Sequence, residues 1–206
     1  MTRRRIALCV NGSERDAWVL PSDTLLDVLH DGLGLAEVRY GCGEGVCGTC
    51  TVLLDGEPVS GCLTLAVQAA GREVTTLRGL AGPGGALHPL QDRFLRRGAA
   101  QCGFCTPGMV LTSLDLVRRH LARGLGPPSR DDIRYALVGN LCRCTGYTKI
   151  IDAVAEYAAL AAAGTPPAGT SPARTPPART PPARTPPART PPARTPPART
   201  PPAAAP

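Results

Sequence analysis

The 206-residue sequence predicts an α+β fold in which a small β-grasp domain precedes a four-helix bundle and a disordered tail. Three observations predict it. Apolar residues alternate with period two early in the chain, the period becomes helical after residue 88, and sixteen of the 23 prolines lie in the last 43 residues. The predicted divisions are a domain over 1–80, a linker over 81–87, a bundle over 88–163 and a tail over 164–206.

Strand and turn signals define the first domain. The predicted strands, each supported by apolar alternation or a β-branched run, are 6–10, 17–20, 51–54 and 73–77, with two-residue turns at Asn11-Gly12 and Asp55-Gly56. Residues 21–23 are expected to cap one short helix over 24–30. A small mixed sheet with one helix across it is the β-grasp pattern.

Helical spacing of apolar residues characterises the second domain. Four helices are expected: around Leu90 to Leu95, from the Thr106-Pro107 cap through Leu121, from Ser129 to about Val138, and from Thr148 to about Ala162. Ser129 and Asp132 have the spacing of a capping box. Four helices in so short a stretch predict a compact bundle.

The basic charge of the chain belongs to its tail. The formal net charge is +7, but residues 164–206 hold six arginines and no acidic residue, so the rest is near +1. This distribution disfavours a basic nucleic-acid-binding domain. The tail repeats Thr-Pro-Pro-Ala-Arg from Thr175. It is expected to be a disordered spacer with polyproline II bias, with weak contact to an acidic surface or lipid headgroups as the alternative.

No apolar run in the sequence reaches the eighteen residues that a membrane span requires. The triplet Arg3-Arg4-Arg5 precedes an apolar stretch that is too short for an export signal. The expected compartment is therefore the cytoplasm, where thiols stay reduced. Disulfide bonds therefore do not explain the nine cysteines, which are expected to have another role.

Four cysteines form the first candidate metal site, with the spacing C-x4-C-x2-C-x11-C over Cys42, Cys47, Cys50 and Cys62. The first three have the spacing of plant-type ferredoxins. Glycines at 43, 45 and 48 (Gly43, Gly45, Gly48) allow the loop to wrap closely around a cluster and to point backbone N–H groups at sulfur. The first domain is thus predicted to be ferredoxin-like.

The second candidate site has the spacing C-x2-C-x36-C-x-C over Cys102, Cys105, Cys142 and Cys144. Each pair precedes a predicted helix, whose N-terminus favours an anionic cluster. Structural zinc, usually held by pairs two to four residues apart, fits the x4 loop and the C-x-C pair poorly. The ninth cysteine, Cys9, lies on a predicted strand and is expected to be a free thiol.

Three segments resemble the small iron-sulfur subunit of the xanthine dehydrogenase family of molybdenum hydroxylases. They are the segment from Gly41 to Leu63, the segment from Gln101 to Met109 and the segment from Gly139 to Tyr147. The resemblance covers about residues 4–162, and its motifs are long and specific. The sequence departs from the family pattern at Gly61, where alanine or serine is expected. The repeat tail has no counterpart in that pattern.

The resemblance implies cofactors and partners. It implies two 2Fe-2S clusters, one on each set of four cysteines, with molybdopterin in a large subunit and FAD in a medium subunit. It also implies that Gln101 and Cys144 approach the pterin, Cys144 being a cluster ligand as well. The complex would be a hetero-oligomer, with a dimer of heterotrimers as one form.

These observations favour an electron-transfer subunit that performs no substrate turnover by itself. Its three histidines (His30, His88, His120) are scattered along the chain and give no catalytic constellation. A stand-alone 2Fe-2S electron carrier is the alternative, and a zinc-stabilised binding module is a third possibility. Helix dipoles are expected to raise the reduction potential of the bundle cluster above that of the loop cluster.

Overall fold

A computed structural model describes residues 2–164 of the chain. The strands are β1 (Arg4–Val10), β2 (Ser13–Val19), β3 (Thr51–Leu54), β4 (Glu57–Ser60) and β5 (Glu73–Thr75). The helices are α1 (Leu25–Asp27), α2 (Pro89–Arg96), α3 (Thr106–Ala122), α4 (Arg130–Ala136) and α5 (Thr148–Ala162). The order of elements is that of an α+β protein in which a sheet precedes a set of helices.

The strands form one mixed five-stranded sheet in the order β2-β1-β5-β3-β4. β1 pairs antiparallel with β2 and parallel with β5, while β3 pairs antiparallel with β4 and β5. Asn11 and Asp55 both have φ of 51° and are followed by glycines with positive φ, as two-residue type I′ hairpins require. The two turns predicted from sequence are thereby confirmed.

The short helix of the first domain starts differently from the expectation. Thr24 is its cap: the Thr24 hydroxyl accepts the Asp27 N–H at 3.1 Å, and the Asp27 carboxylate accepts the Thr24 N–H at 2.8 Å. Asp23 instead accepts the Leu20 N–H at 2.8 Å and closes the preceding turn. The expected cap at 21–23 was therefore wrong, and the helix continues after Asp27 as a π-helix over Val28–Gly32, two residues beyond its predicted end.

The helices of the second half lie close to their predicted positions. The capping box of α4 is confirmed, with the Ser129 hydroxyl and the Asp132 N–H 3.1 Å apart. α4 ends at Ala136, two residues early, and α5 spans Thr148–Ala162 as expected. Cys105, rather than Thr106, occupies the cap position of α3.

Two hydrophobic cores meet at the sheet. Strands and α1 enclose one core, and α2 to α5 enclose the other. All four residues of β3 are buried; Val52 and Leu54 belong to the first core, whereas Leu53 packs into the helical core. Because alternate side chains of a strand point to opposite faces, β3 ties the two cores together.

Within residues 2–164, no helix is long and apolar enough to cross a membrane. The prediction of a disordered polyproline tail concerns residues outside the described range. The expected domain boundaries remain predictions.

Candidate metal centres

Backbone N–H groups surround the first thiol of the glycine-rich loop. Cys42 Sγ accepts hydrogen bonds from the N–H groups of Glu44 at 3.3 Å, Val46 at 3.3 Å and Cys47 at 3.4 Å. These bonds, the Glu44 bond first, lower the pKa of Cys42 to about 6. Because hydrogen bonds favour the charged form of their acceptor, the loop is suited to hold a thiolate.

The four thiols of the first set lie in two pairs. Cys47 Sγ accepts the Cys42 N–H at 3.3 Å, so these two cysteines adjoin each other in the exposed part of the loop. Cys50 and Cys62 are buried beneath it and contact each other. Burial, and then the Cys62 side chain, raises the pKa of Cys50 to about 11, as expected for a thiol without a compensating positive charge.

The predicted positive φ angles of the loop glycines are confirmed at 73° for Gly43, 75° for Gly45 and 65° for Gly48. At Gly48 a second constraint applies, because an added Cβ would lie 2.3 Å from the carbonyl oxygen of Gly139. Gly48 therefore permits contact between the first loop and the chain just before Cys142.

The second set of thiols is also paired, although its members come from distant parts of the sequence. Cys102 Sγ and Cys144 Sγ are 3.5 Å apart, and Cys105 contacts Cys142. Burial, and then the contact with Cys142, raises the pKa of Cys105 to about 12. Each pair thus joins one cysteine of the C-x2-C segment to one of the C-x-C segment.

Both segments of the second set lead into long helices. Cys105 is the cap residue of α3, and the Cys142 to Cys144 segment lies just before α5. Tyr147 holds the latter segment in place: its hydroxyl accepts the Cys142 N–H and donates to the Asn140 carbonyl, both at 2.9 Å. This agrees with the expectation that the thiols lie near positively polarised helix ends.

The paired arrangement fits a binuclear cluster better than a single ion. In the part of the chain that the structure describes, no three His, Cys, Asp or Glu side chains converge as one bound metal ion would require. A 2Fe-2S cluster has two irons, so it takes its four thiolates as two pairs. All nine cysteines are free thiols, and eight of them lie in the four pairs described above.

Direct hydrogen bonds join the two cysteine-bearing loops. The Leu141 N–H donates to the Cys47 carbonyl at 2.9 Å, and Asn140 Nδ2 donates to the Gly48 carbonyl at 3.1 Å. At Gly108 in α3 an added Cβ would lie 2.1 Å from that same Gly48 oxygen. The spacing of the cysteines gave no indication of this junction, because the Asn140–Gly48 hydrogen bond crosses 92 residues of chain.

The remaining candidate residues occupy different places. Gln101 is exposed beside Cys102, at the same end of the helical unit as Cys144. At Gly61, where alanine or serine was expected, an added Cβ would lie 3.0 Å from the Cys50 carbonyl, so glycine relieves a tight contact there. Cys9 lies half-buried on β1. His88 is the buried cap of α2.

Comparison with protein-family models identifies both units. A model described as a 2Fe-2S iron-sulfur cluster binding domain matches residues 9–76. A second model, described as a 2Fe-2S binding domain, matches residues 76–155. Together they cover both cysteine sets and leave residues 1–8 and 156–206 outside.

Individual relatives match over the same stretch. The nicotine 6-hydroxylase small subunit of Paenarthrobacter nicotinovorans is 43% identical over 154 residues, covering 75% of this chain and 89% of that one. The xanthine dehydrogenase iron-sulfur-binding subunit of Escherichia coli O157:H7 is 40% identical over 151 residues, covering 73% and 92%. In the crystal structure of quinoline 2-oxidoreductase from Pseudomonas putida 86, one chain is 46% identical with a TM-score of 0.72, covering 80% and 98%.

Proposed function

This chain belongs to the iron-sulfur small subunits of the xanthine dehydrogenase and aldehyde oxidoreductase family of molybdenum hydroxylases, and we propose that it relays electrons within such a complex. The relay runs from a molybdopterin-binding large subunit to an FAD-binding medium subunit. When bound, the clusters supply one-electron redox chemistry, and the protein supplies ligation, placement and electrostatic tuning.

We assign one 2Fe-2S cluster to each set of four cysteines. In the first set, Cys42 and Cys47 would bind one iron and the pair Cys50 and Cys62 the other. In the second set, Cys102 with Cys144 and Cys105 with Cys142 would do the same. The pairing of the thiols supports both assignments.

The hydrogen-bonded junction between the loops is the observation that carries the relay. Cys47 and Cys142 belong to different sets, yet only the Leu141 residue and one 2.9 Å hydrogen bond separate the Cys47 carbonyl from the Cys142 backbone. Two redox sites held this closely can exchange electrons, whereas two independently tumbling domains would not keep them together. An electron relay requires such a junction, whereas a zinc-stabilised binding module does not require one.

Apolar side chains beside the ligands favour a subunit over a stand-alone carrier. Phe104 lies between Cys102 and Cys105 and is 47% exposed, and Leu141 precedes Cys142 and is 52% exposed. On the other unit, Val46 beside Cys47 is 59% exposed and Leu63 beside Cys62 is 63% exposed. Apolar residues grouped at both sites are typical of surfaces that partner proteins cover.

We place the large subunit at the second set and the medium subunit at the first. Gln101 and Cys144 are exposed at one end of the helical unit, as residues that approach a pterin held by another chain must be. The complex is then a hetero-oligomer, and its setting is a reducing compartment such as the cytoplasm, where the eight thiols stay available for iron.

Paired cysteine variants test the assignment. Cys47→Ser should abolish or shift one of two EPR signals of the reduced protein and leave the other, and Cys142→Ser should do the reverse. Iron analysis of the intact chain should give about four irons. A single EPR signal, or zinc in place of iron, would refute the two-cluster assignment. Gel filtration of the natural protein tests the proposed partners. We expect the chain to elute together with a large and a medium subunit. Elution as a monomer, without those subunits, would instead support the stand-alone carrier.

A further inference from the structure

Arg39 belongs to the first unit but contacts the second cysteine set. It lies three residues before Cys42 in the sequence. Its Nη1 donates to the Gly103 carbonyl at 2.6 Å, and its guanidinium carbon lies 5.5 Å from the centre of the Phe104 ring. Gly103 and Phe104 are the two residues between Cys102 and Cys105. Arg39 is therefore close to the first cysteine set in sequence but contacts the second set in the fold.

The peptide that Arg39 holds lies between two cysteines of the second set, Cys102 and Cys105. The Gly103 carbonyl and the Phe104 N–H belong to the same peptide group, and in a trans peptide they point in opposite directions. Arg39 thus contacts the oxygen side of this peptide and leaves the N–H on the opposite side free to donate.

The first unit also holds the next peptide of the same segment. Thr49 Oγ1 donates to the Phe104 carbonyl at 3.1 Å. Both carbonyls between Cys102 and Cys105 are therefore fixed by side chains from outside the helical unit. Gly103 has φ of 77°, so this segment adopts a backbone conformation that L side chains rarely adopt and that the surrounding contacts must maintain.

The charge of Arg39 is not neutralised by a neighbour. In the part of the chain that the structure describes, no carboxylate lies within 4.0 Å of its guanidinium group, whereas Arg78 pairs with Glu37 at 3.3 Å. Arg39 is half-buried between the two units, where a charge is screened less than at the surface. An arginine at the carbonyl also polarises the peptide and strengthens its N–H as a donor.

We propose that Arg39 is a positioning residue for the second cluster, orienting the Gly103–Phe104 peptide toward Cys102 and raising that cluster's reduction potential. This inference rests on the proposed function, since it requires a cluster on the second set. Reduction adds negative charge, so a nearby positive charge and a strong N–H···S hydrogen bond both favour the reduced state. Arg39 raises the reduction potential of the second cluster more than that of the first, although it is close to Cys42 in sequence.

The test is an EPR-monitored redox titration of the purified complex, with the two signals assigned by the cysteine variants described above. Arg39→Gln keeps a donor but removes the charge, and Arg39→Lys keeps the charge. Arg78→Gln removes an arginine charge that does not contact Gly103 and serves as the control. The expected result is a lower midpoint potential for the second cluster in Arg39→Gln, a smaller shift in Arg39→Lys and the least in Arg78→Gln.

Several outcomes overturn the proposal. An unchanged second midpoint in Arg39→Gln would do so, as would a larger shift of the first cluster. If Arg39→Gln fails to retain the second cluster, Arg39→Lys decides: a second midpoint lower than in Arg78→Gln supports the proposal, and one equal to it refutes the proposal. A single EPR signal from the unaltered protein would refute the proposed function itself, an outcome distinct from a failure at Arg39 alone.

Discussion

The two cysteine sets reach the same paired arrangement by different means. The first is built mainly from one continuous loop, whose own N–H groups surround Cys42. The second combines two segments that the chain separates by 36 residues, and it depends on α3, α5 and side chains of the first unit to bring them together. A local loop can form its site early, whereas the second site requires the whole helical unit and its junction with the sheet.

The largest predicted effect comes from breaking the junction at Gly48. Gly48→Ala would place a Cβ 2.3 Å from the Gly139 carbonyl at a φ of 65°, so the two loops must separate. We expect a loss of about 3 kcal/mol or more in the free energy of unfolding, together with weakened loading of the second site. Urea denaturation with iron analysis measures both.

Gly12→Ala is the matched control, because Gly12 has φ of 76° but open space around its Cβ position. It should cost only about 1 to 2 kcal/mol, from backbone strain alone, and leave iron content unchanged. Equal losses in the two variants would show that the contact with Gly139 contributes nothing.

A pH effect is expected from the helical core. Burial, and then the charge of Arg118, lowers the pKa of His88 to about 4, below its usual value of 6.5. Between these values the unfolded chain binds a proton that the folded chain does not, so stability is complete above about pH 6.5 and falls toward pH 4. The expected loss is about 2 to 3 kcal/mol over that range.

Unfolding measured across that pH range checks this expectation. His88→Asn keeps a cap acceptor for the Leu90 N–H but cannot take up the proton, so its stability should change less with pH. An equally steep dependence in His88→Asn would assign the effect to other groups.

Smaller effects are expected from single hydrogen bonds across the junction. Asn140→Ala leaves the buried Gly48 carbonyl without its Asn140 partner and should cost about 1 to 3 kcal/mol. Thr49→Val removes the hydroxyl that donates to the Phe104 carbonyl while keeping the side-chain shape, and should cost about 1 kcal/mol because this bond is only partly buried. Thermal unfolding of the two variants compares their losses of stability. A greater loss of stability in Thr49→Val than in Asn140→Ala would show that the Thr49 contact contributes more, contrary to this expectation.

The smallest expected effects concern two of the capping boxes, the one at the start of α1 and the one at the start of α4. Thr24→Ala and Ser129→Ala each remove a hydroxyl that accepts a helix N–H and should each cost about 1 kcal/mol. Because β3 contributes to both cores, we expect both variants to lower the same unfolding transition. Two transitions that shift separately in calorimetry would show instead that the units unfold independently.

Features set by neighbouring residues were predictable from the sequence. The hairpin turns at Asn11-Gly12 and Asp55-Gly56, the Ser129 capping box and the positive φ angles of the loop glycines follow from local conformational preferences. The spacing of the first set likewise indicates its chemistry, because three of its cysteines share one loop.

Long-range packing accounts for what the sequence did not predict. Leu53 belongs to an ordinary apolar strand run, and only the fold shows that it enters the helical core. The contacts of Arg39 with Gly103 and of Asn140 with Gly48 cross 64 and 92 residues, and no spacing rule indicates such pairs. Even the Thr24 cap depended on a competition with Asp23, whose carboxylate accepts the Leu20 N–H in the preceding turn.

The central claim is that the two cysteine sets hold paramagnetic clusters on loops that adjoin each other. Low-temperature EPR of the fully reduced protein tests this most directly, because two unpaired spins held close together split each other's signals. We predict two signals with mutual splitting, and loss of the splitting from the remaining signal in Cys47→Ser. Two signals with no trace of interaction, or one signal alone, would contradict the account.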